Sequence, residues 1–231
     1  MRNADRDTFW LYGIAGAIAL ALCACGGSDS SPGAPVAGFP SSYNAQAAWR
    51  SLTHNAHTWS AQGTGSDGNA YGIQIAYSPA NGSFKNVSAD GVLRLVSFNR
   101  GGSVINSNAS TLFMRSGTGV PIGWIASDGS CAAFINGREP DSSVAPNANG
   151  SLYGGSIFPD CSSTTGNGDR VSATWSIPVD GSSVLFCEDE TLTVGGSSFE
   201  LQLCVPIDTS GTLGQSVRAT VKTGGVSVVM R

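Results

Sequence analysis

Apolar and polar residues alternate along much of the chain downstream of residue 57. In one clear example, Tyr71, Ile73, Ile75 and Tyr77 are separated by single glycine, glutamine or alanine residues. A period of two is typical of β-strands with one buried face. Further strands are predicted at 92–98, 110–115, 198–205, 216–222 and 225–230. The pattern predicts an all-β fold, either an antiparallel barrel or a sandwich, and it does not distinguish the two.

Asp-Gly pairs at 67–68, 90–91, 128–129 and 180–181 predict tight turns between these strands. A two-residue turn at 128–129 places Trp124 opposite Ala133, and one at 180–181 places Trp175 opposite Phe186. We therefore assign both tryptophans to the core. A turn at 67–68 sets the strand that starts at Tyr71 against polar residues.

One short helix is predicted before the strands, at 43–53 (YNAQAAWRSLT). Trp49 and Leu52 fall on one face of this helix, and Ser42 is a suitable N-cap. Polar stretches at 136–150 and 159–170 are predicted to be loops, and the first is the best candidate for an internal boundary. We expect one domain, because residues 54–135 alone would form a modest sheet with open edges.

The N-terminus has the pattern of an export signal. A twelve-residue apolar run at 11–22 follows a segment containing Arg2 and Arg6. This run fits the apolar region of a signal peptide and is short for a membrane-spanning helix. The sequence Leu-Cys-Ala-Cys comes at the end of the run, at 22–25, and residues 26–42 are rich in glycine, serine and proline.

Residues 22–25 resemble the lipobox of bacterial lipoproteins, which implies lipidation of Cys25. Cys23 fits poorly, because Leu22 would then occupy the position reserved for a small residue. The resemblance implies a signal peptide at 1–24, a flexible tether at 25–42 and a single disulfide-linked β domain at 43–231. Gly26 after the cysteine resembles the pattern sorted to the outer membrane in enteric bacteria. The alternative is an ordinary secretory signal that leaves a soluble periplasmic protein.

Four further cysteines remain in the exported part of the chain, which predicts two disulfides. Four cysteines can pair in three ways, and of these we predict the pairs Cys131–Cys161 and Cys187–Cys204. A turn at 195–196 would place Cys187 directly opposite Cys204, within disulfide range. The same register puts Glu188 and Glu190 on the face of Leu201, Leu203 and other apolar residues. Either that face is partly wet, or the strand bulges at 188–190.

Composition and motifs give little indication of a catalytic or ligand-binding site. Charged residues make up 12% of the chain, the net charge is −4, and no basic cluster favours nucleic-acid binding. His54 and His57 form an HxxH pair, which we interpret as a polar connector rather than a metal site. Glu188, Asp189 and Glu190 could serve a hydrolase, but an acidic run that protects a hairpin edge is the preferred interpretation. The sequence predicts no catalytic residue, metal or cofactor.

The exported part of the chain also resembles uncharacterised envelope lipoproteins of β-proteobacteria, in AAWRSLT (47–53) and WSAQGTGSDGNAYGI (59–73) and around the spaced cysteines. This resemblance implies no activity. We expect a non-enzymatic binding or structural module in the cell envelope, held at a membrane, most simply the outer membrane, by its lipid. The alternatives are a carrier with an apolar ligand inside a barrel, and an anchored hydrolase that uses loop carboxylates.

Overall fold

The computed structural model describes residues 36–166 and 168–231. The predicted signal peptide, Cys25 and the first part of the predicted tether lie outside these residues. The described chain forms one helix, α1 (Ala45–His54), and thirteen strands. The strands are β1 (His57–Thr64), β2 (Ala70–Phe84), β3 (Val87–Arg100), β4 (Ser103–Arg115), β5 (Pro121–Ala126), β6 (Cys131–Ala133), β7 (Asn149–Phe158), β8 (Arg170–Ser176), β9 (Val179–Asp180), β10 (Ser183–Val194), β11 (Ser197–Pro206), β12 (Arg218–Thr223) and β13 (Val226–Met230).

The strands form one antiparallel meander that curls into a nearly closed barrel. Each strand pairs with the next along the chain, except that β9 is a short side branch of β10. The first and last strands meet, because Gln62 and Arg231 exchange backbone hydrogen bonds of 3.2 and 3.0 Å. The contact is so close that a Cβ on Gly63 would lie 2.0 Å from the Val229 carbonyl oxygen. The predicted all-β fold is confirmed, and of the two architectures left open it is the barrel.

Side chains fill the barrel interior. Alternate residues of the strands point inwards and join one buried cluster that also includes one face of α1. The largest fully buried side chains are those of Trp49, Tyr153, Phe186, Leu52, Ile73 and Ile75. Trp124 and Trp175 belong to the same cluster, as predicted. Burial of this apolar surface is the main stabilisation of the fold.

Helix α1 begins two residues later than predicted, at Ala45, and its N-cap is Asn44 rather than Ser42. The Asn44 side chain accepts a hydrogen bond of 2.9 Å from the Ala47 amide, which otherwise has no partner in the first turn. The Ser42 hydroxyl lies 2.7 Å from that of Ser143 instead. The predicted apolar face is correct, since Trp49 and Leu52 are both buried.

The helix lies across one end of the barrel, which we call the helix end. Strand connections 116–120, 134–148 and 207–217 are at this end. The indole of Trp49 donates a 2.6 Å hydrogen bond to the Gly119 carbonyl. The amides of Asn44 and Gln46 donate to the carbonyls of Thr209 and Asp141, at 3.1 and 3.2 Å. The opposite end consists largely of tight glycine-containing turns, and we call it the hairpin end.

The predicted registers at two Asp-Gly turns are wrong by one residue. Ile75 lies opposite Trp59 rather than Ser60, and Trp124 lies opposite Ala132 rather than Ala133. Backbone hydrogen bonds from Gly65 to Asn69 and from Ala126 to Ser130 close three-residue loops within these connections. In these loops Gly68 and Gly129 adopt left-handed conformations with φ of 79° and 89°. Loops of this kind add one residue to the expected two-residue turn. The change brings apolar residues of β1 onto the same face as those of β2.

The turn predicted at 90–91 is wrong, because Asp90 and Gly91 lie within β3, and the turn predicted at 180–181 is displaced by one position along the chain. Asp180 pairs with Ser183, so the turn residues are 181–182 rather than 180–181. The register between β8 and β10 therefore shifts by two residues, and Trp175 lies opposite Glu188 rather than Phe186. An even shift leaves every side chain on its predicted face.

Strand β7 (Asn149–Phe158) was not predicted, because its many glycines and serines lack a clear apolar alternation. The segment 134–148 before it lies against one edge of this strand, where the Arg138 amide donates a 2.8 Å hydrogen bond to the Leu152 carbonyl. The same segment contacts α1, and its residue Val144 forms an isolated antiparallel β-bridge with Tyr43.

Candidate functional site

Both predicted disulfides are present. Cys131 bonds to Cys161 with a Cα–Cα distance of 5.1 Å, and Cys187 bonds to Cys204 with a distance of 4.0 Å. Cys187 and Cys204 are directly opposite on β10 and β11, as the turn at 195–196 predicted. Both bonds lie apart from the main interior cluster, in small apolar clusters of their own. One ties the loop after β7 to β6, and the other links two neighbouring strands.

A cluster of charged and phenolic side chains lies inside the barrel. Arg94 on β3 contacts Glu190 on β10, with 2.5 Å between Nη2 and Oε1, and its Nη1 lies 3.7 Å from Glu188 Oε1. The hydroxyl of Tyr153 on β7 donates to Glu190 at 2.7 Å and lies 3.4 Å from Glu188. The hydroxyl of Tyr77 on β2 donates to Glu188 at 3.2 Å. We call these five side chains the buried charge cluster.

Strand alternation brings the two glutamates into the interior. Glu188 pairs with Leu203 and Glu190 with Leu201, in a register between β10 and β11 that continues without a shift. Each glutamate is only 3% exposed. The expectations of a partly wet face and of a bulge at 188–190 are therefore both wrong.

The acidic run does not protect a sheet edge either. Strand β10 lies between β8 and β11 and is paired on both sides along its acidic segment. Asp189 alone points away from the interior, where its carboxylate accepts a 2.7 Å hydrogen bond from Gln202. The run is thus divided between two environments, with two carboxyls inside the barrel and one on its surface.

Burial dominates the electrostatics of the cluster. Removal from water raises the pKa of Glu188; the Arg94 guanidinium opposes this shift and the neighbouring Glu190 reinforces it. The pKa values of Tyr77 and Tyr153 rise well above the ordinary value, first through burial and then through the glutamates. Both phenols are therefore neutral hydrogen-bond donors. Burial would lower the pKa of Arg94, but the surrounding acids raise it well above its ordinary value, and the guanidinium stays charged.

The buried charge cluster is enclosed rather than open to a substrate. Arg94 is 9% exposed, and the hydroxyls and guanidinium of the cluster already contact the glutamate oxygens. A buried cation with hydrogen-bonded carboxylates is stable only as a complete set, because removing one partner leaves an unpaired charge. We interpret the cluster as a device that fixes the relative positions of β2, β3, β7 and β10.

Sequence reasoning missed the basic and phenolic members of this cluster. A signal for Arg94 was available, since it is the single charged residue within the predicted apolar strand 92–98. Two acids on the apolar face of β10 require a buried cation, and Arg94 is on the apolar face of β3. The signal for Tyr77 and Tyr153 is weaker, because a buried tyrosine is ordinary in a β-barrel core.

The two histidines have separate partners. His54 Nε2 lies 3.8 Å from Asp90 Oδ2, while the His57 ring stacks on Trp59 at 4.8 Å and its Nε2 lies 2.8 Å from the Ser51 carbonyl oxygen. In the part of the chain that the structure describes, no three His, Cys, Asp or Glu residues are grouped so that they could hold a metal ion.

Among the described strands, part of β4 lacks a second neighbouring strand, as does the part of β2 that follows Tyr77. Strand β4 pairs with β5 from Ser110 to Met114, but in residues 36–166 and 168–231 no strand pairs with 103–108 on the side away from β3. Every side chain in 103–108 is exposed, with Val104 at 64% and Ile105 at 54%. A break in register opposite Phe98 and Asn99 bends this segment, which we call the β4 free edge.

A shallow groove of about 420 Å³ borders the β4 free edge. Small and polar side chains of β1–β4 line it, among them Thr58, Gln74, Ser97 and Ser107, together with the partly exposed Leu95. These groups offer hydroxyl and amide hydrogen bonds beside a limited apolar surface. The groove therefore offers hydrogen-bonding groups and a small apolar surface that could contact a partner.

Helix α1, the one helix in the described ranges, is too short and too polar to cross a membrane. No protein-family model, curated protein or solved structure matches the chain. Function must therefore be argued from the residues themselves.

Proposed function

We propose that this protein is a lipid-anchored lipoprotein of the bacterial cell envelope, and that its barrel is a non-enzymatic binding or structural module. The observation that carries the proposal is the lipobox-like sequence at 22–25, which follows a twelve-residue apolar run. The two disulfides support export, because such bonds persist in oxidising compartments.

The form of the barrel favours a binding or structural role over the two alternatives. An apolar-ligand carrier needs interior space, whereas apolar side chains join into one continuous cluster in the described interior. A hydrolase needs reachable carboxylates, whereas Glu188 and Glu190 are enclosed. The surface available to a partner is the outer wall, which includes the β4 free edge and the adjacent groove.

The position of α1 sets the geometry of the proposed anchorage. Residues 26–35 separate Cys25 from Val36, the first residue that the structure describes. Ten residues span at most roughly 35 Å even when fully extended. A lipid on Cys25 would hold Val36 within about this distance of the membrane and leave much of the outer wall free for a partner.

Replacing Cys25 with serine tests the anchor directly. Cells that express the full chain are fed a palmitate analogue, and the label is followed in membrane and soluble fractions. We expect Cys25→Ser to lose the label and to move to the soluble fraction, because the thiol is the site of acylation. Cys23→Ser is the matched control, two residues away, and should stay labelled and membrane-bound. Label retained by Cys25→Ser would overturn the proposed anchor.

Thiol mapping of the exported protein separates anchorage from export. We expect Cys131, Cys161, Cys187 and Cys204 to resist alkylation until a reductant is added. Unlabelled protein that still carries both disulfides would favour the soluble periplasmic alternative. Free thiols at all four positions would contradict export itself.

A further inference from the structure

The buried charge cluster contains two carboxyl groups and one guanidinium. If both carboxyls were ionised, the interior of the barrel would hold an unbalanced negative charge. An uncompensated charge in a protein interior is far more costly than a neutral hydrogen-bonded group, so a buried acid in this situation takes up a proton. The stoichiometry of the cluster therefore calls for one bound proton.

The distances distinguish the two carboxyls. Glu190 is the nearer partner of Arg94, at 2.5 Å, and it accepts the shorter phenol hydrogen bond, at 2.7 Å from Tyr153. The closest guanidinium nitrogen to Glu188 is 3.7 Å away, and the two phenols lie at 3.2 and 3.4 Å. Glu190 is thus the closer partner of Arg94 and accepts the shorter phenol hydrogen bond, whereas Glu188 has longer contacts with the same guanidinium and with the two phenols.

Among the described residues, the neighbours of Glu188 across the sheet are apolar. On the strands paired with β10, its direct neighbours are Leu203 and Trp175. Arg94, Glu190, Tyr77 and Tyr153 are the titratable or charged groups with which it interacts from β3, β10, β2 and β7. Both phenols are neutral, so the single positive charge of Arg94 is balanced by Glu190 alone.

We propose that Glu188 is a proton-binding site inside the barrel: its carboxyl is protonated in the folded protein at neutral pH, and folding is coupled to uptake of this proton. This inference goes beyond the proposed anchorage and does not depend on it. Release of the proton at higher pH leaves a net negative charge between β2, β3, β7 and β10 and weakens their association. The barrel is therefore proton-sensitive, and mild acid stabilises it relative to mild alkali.

The sign of the effect follows from the two protonation states. An unfolded Glu188 ionises near the ordinary pKa of about 4.5. Between that pH and the higher pKa of the folded state, the folded chain binds one more proton than the unfolded chain. Each rise of one pH unit in this window therefore increases the unfolding equilibrium constant by about tenfold. Below the window both states are protonated, and above it both are ionised.

Infrared spectroscopy of the full exported chain tests for the proton without any denaturation. We expect a carbonyl stretch of a protonated carboxyl at neutral pH that exchanges slowly with deuterium, because Glu188 is enclosed. The band should disappear in Glu188→Gln and persist in Glu190→Gln. Loss of the band in Glu190→Gln alone would overturn the assignment to Glu188, and absence of the band in the unchanged protein would overturn the proposal.

Urea unfolding between pH 5 and pH 8 tests the coupling. The unchanged protein should show the tenfold-per-unit increase over part of this range, and Glu188→Gln should lack it, because glutamine imitates the protonated acid at every pH. Glu200→Gln is the matched control, since Glu200 is exposed and paired with Lys222, and it should keep the increase. Equal pH dependence in the unchanged protein and Glu188→Gln would refute the coupling.

Discussion

Arg94 and Glu190 form an ion pair across the barrel interior, although 96 residues separate them in the chain. The two residues belong to strands β3 and β10, which are not neighbours in the sheet. Their contact therefore depends on closure of the barrel rather than on any strand pairing. A buried ion pair of this kind adds little net stability but makes each partner indispensable to the other.

Removing the cation should be severely destabilising. We expect Arg94→Met to lower the free energy of unfolding by about 3–5 kcal/mol, because it leaves the buried Glu190 carboxylate without a counter-charge. Urea denaturation followed by tryptophan fluorescence measures the change. Lys222→Met is the control, since it breaks the exposed Lys222–Glu200 pair and should cost at most about 1 kcal/mol. Similar losses in the two variants would show that burial of the pair is unimportant.

Glu139 should fasten α1 to the barrel. Its carboxylate accepts hydrogen bonds from the side chains of Gln46 and Arg50 and from the Gly119 amide. We expect Glu139→Gln to lower the free energy of unfolding by about 1–3 kcal/mol and to speed hydrogen exchange in α1. Asp141→Asn is the matched control in the same segment, since Asp141 contacts the helix through its backbone carbonyl. Unchanged exchange in Glu139→Gln would contradict this role.

The same contact should weaken in acid. Burial alone would raise the pKa of Glu139, but the hydrogen bonds from Arg50, Gly119 and Gln46 together hold it below the ordinary value. A lowered folded pKa means that the stabilisation is complete above about pH 4.5 and is lost as the pH falls through the folded pKa. The protection of the α1 amides, meaning the ratio of the intrinsic to the observed rate of hydrogen exchange, should therefore fall on acidification below that pH. Glu139→Gln should show no such acid step, and an equal step in both proteins would argue against it.

The Cys131–Cys161 bond should restrain the loop between β7 and β8. It closes a segment of 30 residues, so loop entropy predicts a stabilisation of about 3–4 kcal/mol. We expect the double variant Cys131→Ala/Cys161→Ala to become susceptible to limited proteolysis within 159–169. The variant Cys187→Ala/Cys204→Ala is the control, because that bond joins strands already paired side by side. Cleavage in this loop in the control alone would contradict the prediction.

Local patterns were enough to predict much of the barrel. The turn at 195–196 and the alternation around it correctly gave the Cys187–Cys204 contact, because a two-residue turn fixes the register of both strands. At the turns that contain Gly68 and Gly129, the predicted strand register was wrong by one residue. An Asp-Gly pair fits both a two-residue turn and the end of a three-residue loop, and the sequence does not choose between them.

The buried charge cluster could not be derived from local patterns. The predicted register placed Glu188 and Glu190 on an apolar face, and local patterns explained this only by exposure of that face to water or by a bulge in the strand. In the structure the charge of Arg94 balances the buried acids, and its position relative to β10 is set by the curvature and closure of the whole sheet. A buried charge whose partner lies on a distant strand cannot be predicted from rules that use only neighbours along the chain.

The contact between β1 and β13 has a consequence for the order of folding. All the other strand pairs join strands that are close together in the sequence, so hairpins can form one after another along the chain. The hydrogen bonds between Gln62 and Arg231 join nearly opposite ends of the barrel-forming chain, and the entropy of closing so large a loop makes them the latest to form. Until these hydrogen bonds form, the chain is an open sheet with two unpaired edge strands, β1 and β13. That short-lived species, rather than the finished barrel, is where a chaperone would have to act.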